Sequence, residues 1–328
     1  MRLAFERKPK LSLSIITVGI LILDLLTVAS TPVQSNAILT SAATINHAII
    51  IVMENAAYGD VYGSSDAPYM TSIADKYSLL TNFYAITHPS LPNYLTMIAG
   101  SGFEITDDSA PANHTSIAGD AELTSLLKSK GVTWKTYQES MPSPCYKLSS
   151  GEYAVKHNPF VYFSDVTADS TYCNSHVVDF NALNNDIANN ALPKYVFITP
   201  NLKNDGHDTS VNYADNWLKG FLPKLINSPS FSSSIIFVTY DEDDNNSANH
   251  IYTAAVGPST IVKQGFKSVS KYDHYSMLAT IEDIFSLGNL GRSDASATVM
   301  KDIFAVPVSA NGGGSSDSGE NTTSPNTH

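Results

Sequence analysis

The chain of 328 residues has only two cysteines, two tryptophans and 19 Lys plus Arg. Two cysteines are too few for a disulfide-built scaffold. The basic residues face 31 acidic ones, for a formal charge of −12. That balance excludes nucleic acid as a bulk partner, since such a partner needs a basic surface to neutralise its phosphates. Charged residues are scarce at 15%, while hydrophobic ones reach 43%, which excludes a disordered chain. There is ample material for a core, in one large domain or two modest ones. The acidity sets a condition on any anionic substrate: something local must invert the field.

The ends differ from the middle. Arg2, Arg7, Lys8 and Lys10 precede an apolar run from Leu11 to Ser30 that only Asp24 interrupts, and small residues follow. Residues 1–36 therefore read as an export signal, with an uncleaved N-terminal anchor as the alternative and the only expected membrane contact. A secreted, periplasmic or cell-surface location follows. In such a compartment Cys145 and Cys173 can pair, the other reading being two buried thiols. N-x-[ST] sequons begin at Asn113, Asn245 and Asn321. Residues 308–328 are rich in Gly, Ser, Asn and Thr and read as a disordered tail. The expected catalytic domain is 45–307.

Within it, short β-branched runs at Ala48–Met53, Tyr195–Thr199, Ile235–Tyr240 and Tyr252–Val256 read as buried strands, with weaker ones at Ser78–Phe83 and Thr133–Tyr137. Helical spacing covers Ala121–Lys130, Tyr213–Ile226 and His274–Leu287. The alternation predicts an α/β fold with a mostly parallel central sheet and helices on both faces. Ligands of such sheets bind beyond the carboxyl ends of the strands. Glu54-Asn55 follow the first strong strand, Asn201, Asp205, His207 and Asp208 follow the Tyr195 strand, and Asp241-Glu242-Asp243-Asp244 follow the Ile235 strand.

Clustered carboxylates repel one another unless a cation lies among them. Glu54, Asn55, Asp241 and Glu242 offer oxygen ligands for one divalent ion: Mg²⁺, Ca²⁺, Mn²⁺ or, less suited, Zn²⁺. The acidic run is not an EF-hand loop, because its sixth position is Asn246 and its twelfth Tyr252. Asp243, Asp244 and Asp108 read as solvated loop charges. In His88-Pro89-Ser90-Leu91-Pro92-Asn93-Tyr94 the prolines stiffen a loop ahead of a helical run. Ser90 then sits just before a helix N-terminus, a place that favours an anion. Read bare, such a serine is a cap or turn residue; beside a cation it is a nucleophile.

These segments, with Lys156-His157-Asn158-Pro159-Phe160, Asn204-Asp205-Gly206-His207-Asp208, Asn249-His250 and Tyr272-Asp273-His274-Tyr275-Ser276, resemble the phosphoesterase family of acid phosphatases and phospholipases C, within the alkaline-phosphatase-like superfamily. The resemblance spans about residues 45–287, and HPSLPNY and KHNPF are similar to the acid phosphatase branch. It implies Glu54, Asn55, Asp241, Glu242 and Ser90 as metal ligands, with Glu242 where some members have Asp. It implies Ser90 as nucleophile, Asn93 on a phosphoryl oxygen, and His157 and His207 lining the phosphate pocket. One metal is implied, the two histidines supplying positive charge or protons and favouring activity below neutral pH. His250 and His274 fall in recurring segments without an assigned role, and His114 and His176 read as structural. The function implied is an exported metal-dependent acid phosphatase acting on small phosphate monoesters through a phosphoserine. The alternatives are a phosphodiesterase or phospholipase C on lipid headgroups, and a non-catalytic cation-binding surface protein.

Overall fold

The computed structural model describes residues 44–245 and 248–307. The export signal expected at 1–36, the tail expected at 308–328 and the sequon at Asn321 lie outside the described residues. Ten strands are found among the described residues: β1 (His47–Met53), β2 (Ser78–Leu80), β3 (Phe83–Tyr84), β4 (Trp134–Gln138), β5 (Val177–Val178), β6 (Tyr195–Thr199), β7 (Ser234–Tyr240), β8 (Thr253–Val256), β9 (Phe266–Ser268) and β10 (Tyr272–Asp273). The α-helices are α1 (Tyr58–Val61), α2 (Pro68–Lys76), α3 (Ser90–Ala99), α4 (Leu123–Ser129), α5 (Ser164–Thr167), α6 (Ser170–His176), α7 (Phe180–Ala188), α8 (Val211–Ile226) and α9 (His274–Phe285).

Eight strands make one sheet in the order β5-β4-β6-β1-β7-β8-β2-β9. Only β8 runs against the rest. The expected mostly parallel sheet is what forms. In β1 every residue after His47 is buried, and β6, β7 and β8 are buried throughout. Successive side chains of a strand point to opposite faces, so burial of both sets means both faces are covered. Each Ile or Val so buried contributes about 2 kcal/mol. Asp215 of α8 ties the helical layer together by accepting from the N–H groups of Tyr69 and Met70 at the start of α2, at 3.1 and 2.7 Å.

The run at Ser78–Phe83 does not form one strand. It breaks after Leu80, and Phe83–Tyr84 pairs instead with Tyr272–Asp273, far along the chain, in a separate two-stranded sheet. Cys145 and Cys173 are disulfide-bonded, with Cα atoms 5.5 Å apart. Closing a loop of that span contributes roughly 3 kcal/mol by restricting the unfolded chain.

Candidate active site

β1 lies between β6 and β7, and the pairing continues past the strand ends. Glu54 N–H donates to Asp205 O at 3.0 Å, and Asp241 N–H to Met53 O at 3.0 Å. The ladder thus sets Glu54, Asp205 and Asp241 side by side at the carboxyl edge of the three middle strands. Asn55 and Gly206 turn the chain there with φ of 53° and 104°. The first is open to Asn, and the second requires Gly.

Ser90 is the first residue of α3, not the residue before it. Its Oγ donates toward Glu54 Oε2 at 3.2 Å and Glu242 Oε1 at 3.4 Å. Asn93 shapes the preceding loop. Its Oδ1 accepts from Ile86 and Thr87 N–H at 3.0 and 3.1 Å, and its Nδ2 donates to Thr87 O at 2.7 Å and Glu242 Oε2 at 3.1 Å. His88, on the same loop, reaches Glu242 Oε2 at 2.9 Å and Asp243 Oδ1 at 3.3 Å.

Lys156 is the cation of the site. Its Nζ lies 3.4 Å from Ser90 Oγ, 3.0 Å from Asp108 Oδ2 and 3.3 Å from His207 Nε2. Burial works against its charge, but Glu54 and Asp108 outweigh burial and leave its pKa above the ordinary lysine value. Asp108 also accepts from Leu91 N–H at 2.9 Å, in the first turn of α3. His157 lies beneath, stacked on Tyr94 at 5.1 Å. Its Nε2 is 3.3 Å from Glu54 Oε1 and its Nδ1 3.5 Å from Asp205 Oδ2. Burial, then Lys156 and His207, push His157 well below the usual imidazole value. Complete burial beside an ammonium disfavours the cationic form of the ring, and Lys156 adds positive charge at the site that the sequence reading did not name. His207 is partly exposed, with Nδ1 2.7 Å from Asp208 Oδ1.

The acids show the strain of uncompensated charge. Burial first, then Asp241 and Asp205, raise Glu54 well above the usual carboxylate range. Burial raises Asp241 to about 6, and burial with Asp241 and Asp108 raises Glu242 to about 9. Asp205 is raised chiefly by burial. Asn55 Oδ1, Asp241 Oδ2, Asp205 Oδ2 and His157 Nε2 are buried without a hydrogen-bond partner. Orphaned acceptors among acids that resist ionisation fit a divalent cation. Glu54, His157 and Asp205 bring ligand atoms within 4.8 Å of one another. His157 and Asp205 thus lie at the candidate metal centre alongside the expected oxygen donors.

Residues 59–288 match the model of the Phosphoesterase family. The chain belongs to the phosphoesterase family. An acid phosphatase of Aspergillus fumigatus is 33% identical over 265 residues, covering 76% of this chain and 57% of that protein. A phosphatidylinositol-3-phosphatase of Mycobacterium tuberculosis is 34% identical over 249 residues, covering 76% of this chain and 79% of that protein. This phosphoesterase therefore spans under two thirds of the length of its fungal relative. Among solved structures, a protein of the alkaline phosphatase superfamily from Vibrio parahaemolyticus shares the fold with a TM-score of 0.54 at 14% identity, over 80% of this chain and 73% of that one.

Several residues of the phosphoesterase site carry no isolated signal in sequence. Lys156 stands in KHNPF, where the neighbouring histidine draws attention. Asp108 and Asp243 read as solvated, yet Asp108 pairs with Lys156, and Asp243 is 1% exposed and pairs with His88. Tyr94 donates its hydroxyl to Glu54 Oε1. The apolar cast of LPNYL hides it as core. His274 Nε2 donates to Asp241 O at 2.6 Å, fixing the backbone of an acid. His250 is sandwiched between Tyr58 and Tyr84 at 4.4 and 5.0 Å, and its Nε2 meets Thr81 O. His114 pairs with Asp107, and His176 packs against Trp134 and Tyr172.

Proposed function

We propose that this phosphoesterase is an exported, metal-dependent acid phosphatase that hydrolyses small phosphate monoesters through a phosphoserine at Ser90. The observation that carries the reading is Ser90 at the N-terminus of α3, held between two carboxylates and the Lys156 ammonium. A helix N-terminus and a cation favour a phosphoryl group there, which inverts the field of an acidic chain. Glu54, Asn55, Asp241 and Glu242, with Ser90, would hold the divalent ion, and Asp205 and His157 adjoin them. When bound, the ion lowers the proton affinity of nearby hydroxyls and neutralises phosphoryl charge.

The residues divide the remaining work. Ser90 Oγ attacks phosphorus as its proton leaves along the bonds to Glu54 and Glu242. The P–O bond to the alcohol breaks on the opposite side, and His207 gives the departing oxygen a proton. Lys156 Nζ stabilises charge on the phosphoryl oxygens. Water then attacks the phosphoserine from the side the alcohol left, His207 taking its proton. Phosphate departs and Ser90 regains its hydrogen. Export is supported by the disulfide and by the sequence pattern of residues 1–36.

The test is turnover of p-nitrophenyl phosphate and of its bis-ester across pH 4–9, with trapping of radiolabelled phosphate on the protein by acid quench. Label on wild type but not on Ser90→Ala supports the reading. Full turnover by Ser90→Ala refutes the nucleophile, and a preference for the bis-ester refutes the monoester assignment.

A further inference from the structure

The Lys156 ammonium has three hydrogens to donate. Its neighbours are Ser90 Oγ at 3.4 Å, His207 Nε2 at 3.3 Å and Asp108 Oδ2 at 3.0 Å. With these three contacts in place no hydrogen is left for a phosphoryl oxygen. Asp108 makes the shortest of them and is the anion of the set. Its other oxygen, Oδ1, accepts from Leu91 N–H at 2.9 Å.

These are the donors that a phosphoryl group on Ser90 needs. Leu91 follows Ser90 in the first turn of α3, where N–H groups without helical partners and the helix dipole favour an anion. Lys156 stands over Ser90 Oγ. A single carboxylate, with one oxygen on each donor, satisfies both as two phosphoryl oxygens would. Left there, it also repels an incoming phosphate dianion. Phosphate and the Asp108 carboxylate exclude each other at this place.

Asp108 is placed to let go. It lies between α3 and α4, in a connection whose described residues form the short 3₁₀ turns Pro111–Asn113 and Thr115–Ile117 and no longer element. The Asp108 side chain is 30% exposed. An ion pair so open loses little on parting, because water takes back the carboxylate. The buried acids Glu54, Asp241 and Glu242 have no such exit. The backbone on either side is held. Tyr162 Oη donates to Ser109 O at 2.9 Å, Ser109 N–H donates to Asp107 Oδ1 at 2.8 Å, and the Arg292 guanidinium lies over the Phe103 ring at 5.0 Å. Rotation of the Asp108 side chain, with the loop left in place, is enough to clear both donors.

We infer that Asp108 is a resident competitor at the phosphoryl subsite: its carboxylate fills the subsite in the free protein, and phosphate binds by displacing it. The inference rests on the phosphatase reading, and its test separates the two. The rival role is support, with Asp108 steering Lys156 toward the substrate. The two roles differ in sign. Removing a competitor tightens phosphate binding, and removing a support weakens it.

The probe is inorganic phosphate, titrated calorimetrically into the full chain as purified, without chelator. Wild type, Asp108→Ala and Asp108→Asn are compared. The expected result is at least a fivefold fall in Kd for Asp108→Ala and a smaller fall for Asp108→Asn, which keeps an oxygen for Leu91 N–H. Unchanged or weaker binding in Asp108→Asn, which preserves the shape of the side chain, overturns the inference. So does a failure of all three proteins to bind phosphate. In turnover of p-nitrophenyl phosphate, KM and the Ki of phosphate are expected to fall together in both variants. A raised KM with a lowered kcat is the mark of support and overturns the competitor while leaving the phosphatase in place. If no ester is hydrolysed, the phosphatase reading falls and the calorimetric comparison alone decides the role of Asp108.

Discussion

Lys156 Nζ and Ser90 Oγ are 3.4 Å apart at the mouth of a nest of carboxyl groups. Acids surround the serine and its neighbours, and this one ammonium faces the place where negative charge develops. Lys156→Met keeps most of the stem and removes the charge. It is expected to lower kcat/KM on p-nitrophenyl phosphate about 100-fold, or ~2.7 kcal/mol, with the melting temperature unchanged or raised. Steady-state kinetics beside a thermal scan check this; retained kcat/KM would remove the lysine from the mechanism.

Cation binding is expected to show in stability, independent of turnover. A ligand that binds only the folded chain contributes about 2.7 kcal/mol at 100 times its Kd. For a chain of this size that is a rise of roughly 4–5 °C. Differential scanning fluorimetry with Mg²⁺, Ca²⁺, Mn²⁺ and Zn²⁺ measures it. Chelator should reverse the rise and Asp241→Asn should blunt it. A flat response to all four cations would refute the metal site.

Asn93 braces the loop before Ser90 through polar contacts at both ends of its amide. Asn93→Ala strands two partly buried backbone N–H groups, those of Ile86 and Thr87, at a cost of about 1–2 kcal/mol. Urea denaturation should show that loss along with reduced activity. Lost activity at unchanged stability would instead assign the amide to substrate alone.

Glu122 gives a pH dependence remote from the site. It caps α4 through Thr124 N–H, and burial raises its carboxyl to about 7. The folded state thus holds a proton that the unfolded state releases near 4.5. Its contribution is fully present below that value and is lost as pH rises through about 7, on the order of 3 kcal/mol. Glu122→Gln is expected to leave the melting temperature unchanged at pH 4 and raise it by several degrees at pH 8. An equal shift at both pH values would refute the titration.

Much of this was legible in the sequence where one physical signal dominated. The runs at Tyr195–Thr199 and Ile235–Tyr240 are apolar on both faces, and only buried parallel strands need that. The end of the second then located Asp241 and Glu242, and the end of the similar run Ala48–Met53 located Glu54. What escaped depends on distance across the chain. Ser78–Phe83 is apolar enough for one strand, but its last residues find a partner nearly 190 positions away. Lys156 and Asp108 are ordinary surface residues by composition, and only the fold places them over Ser90. The pull toward the neutral form at His157 comes from complete burial, which a histidine beside a lysine in sequence does not announce.

The Cys145–Cys173 bond acquires a second meaning from where its loop runs. The segment it closes carries Lys156 and His157, the ammonium above the serine and the ring beneath it. A newly made chain with both thiols reduced has these two residues on an untied stretch of backbone. Closing the bond ties that stretch down, so in an oxidising compartment disulfide formation belongs to the assembly of the charge arrangement around Ser90.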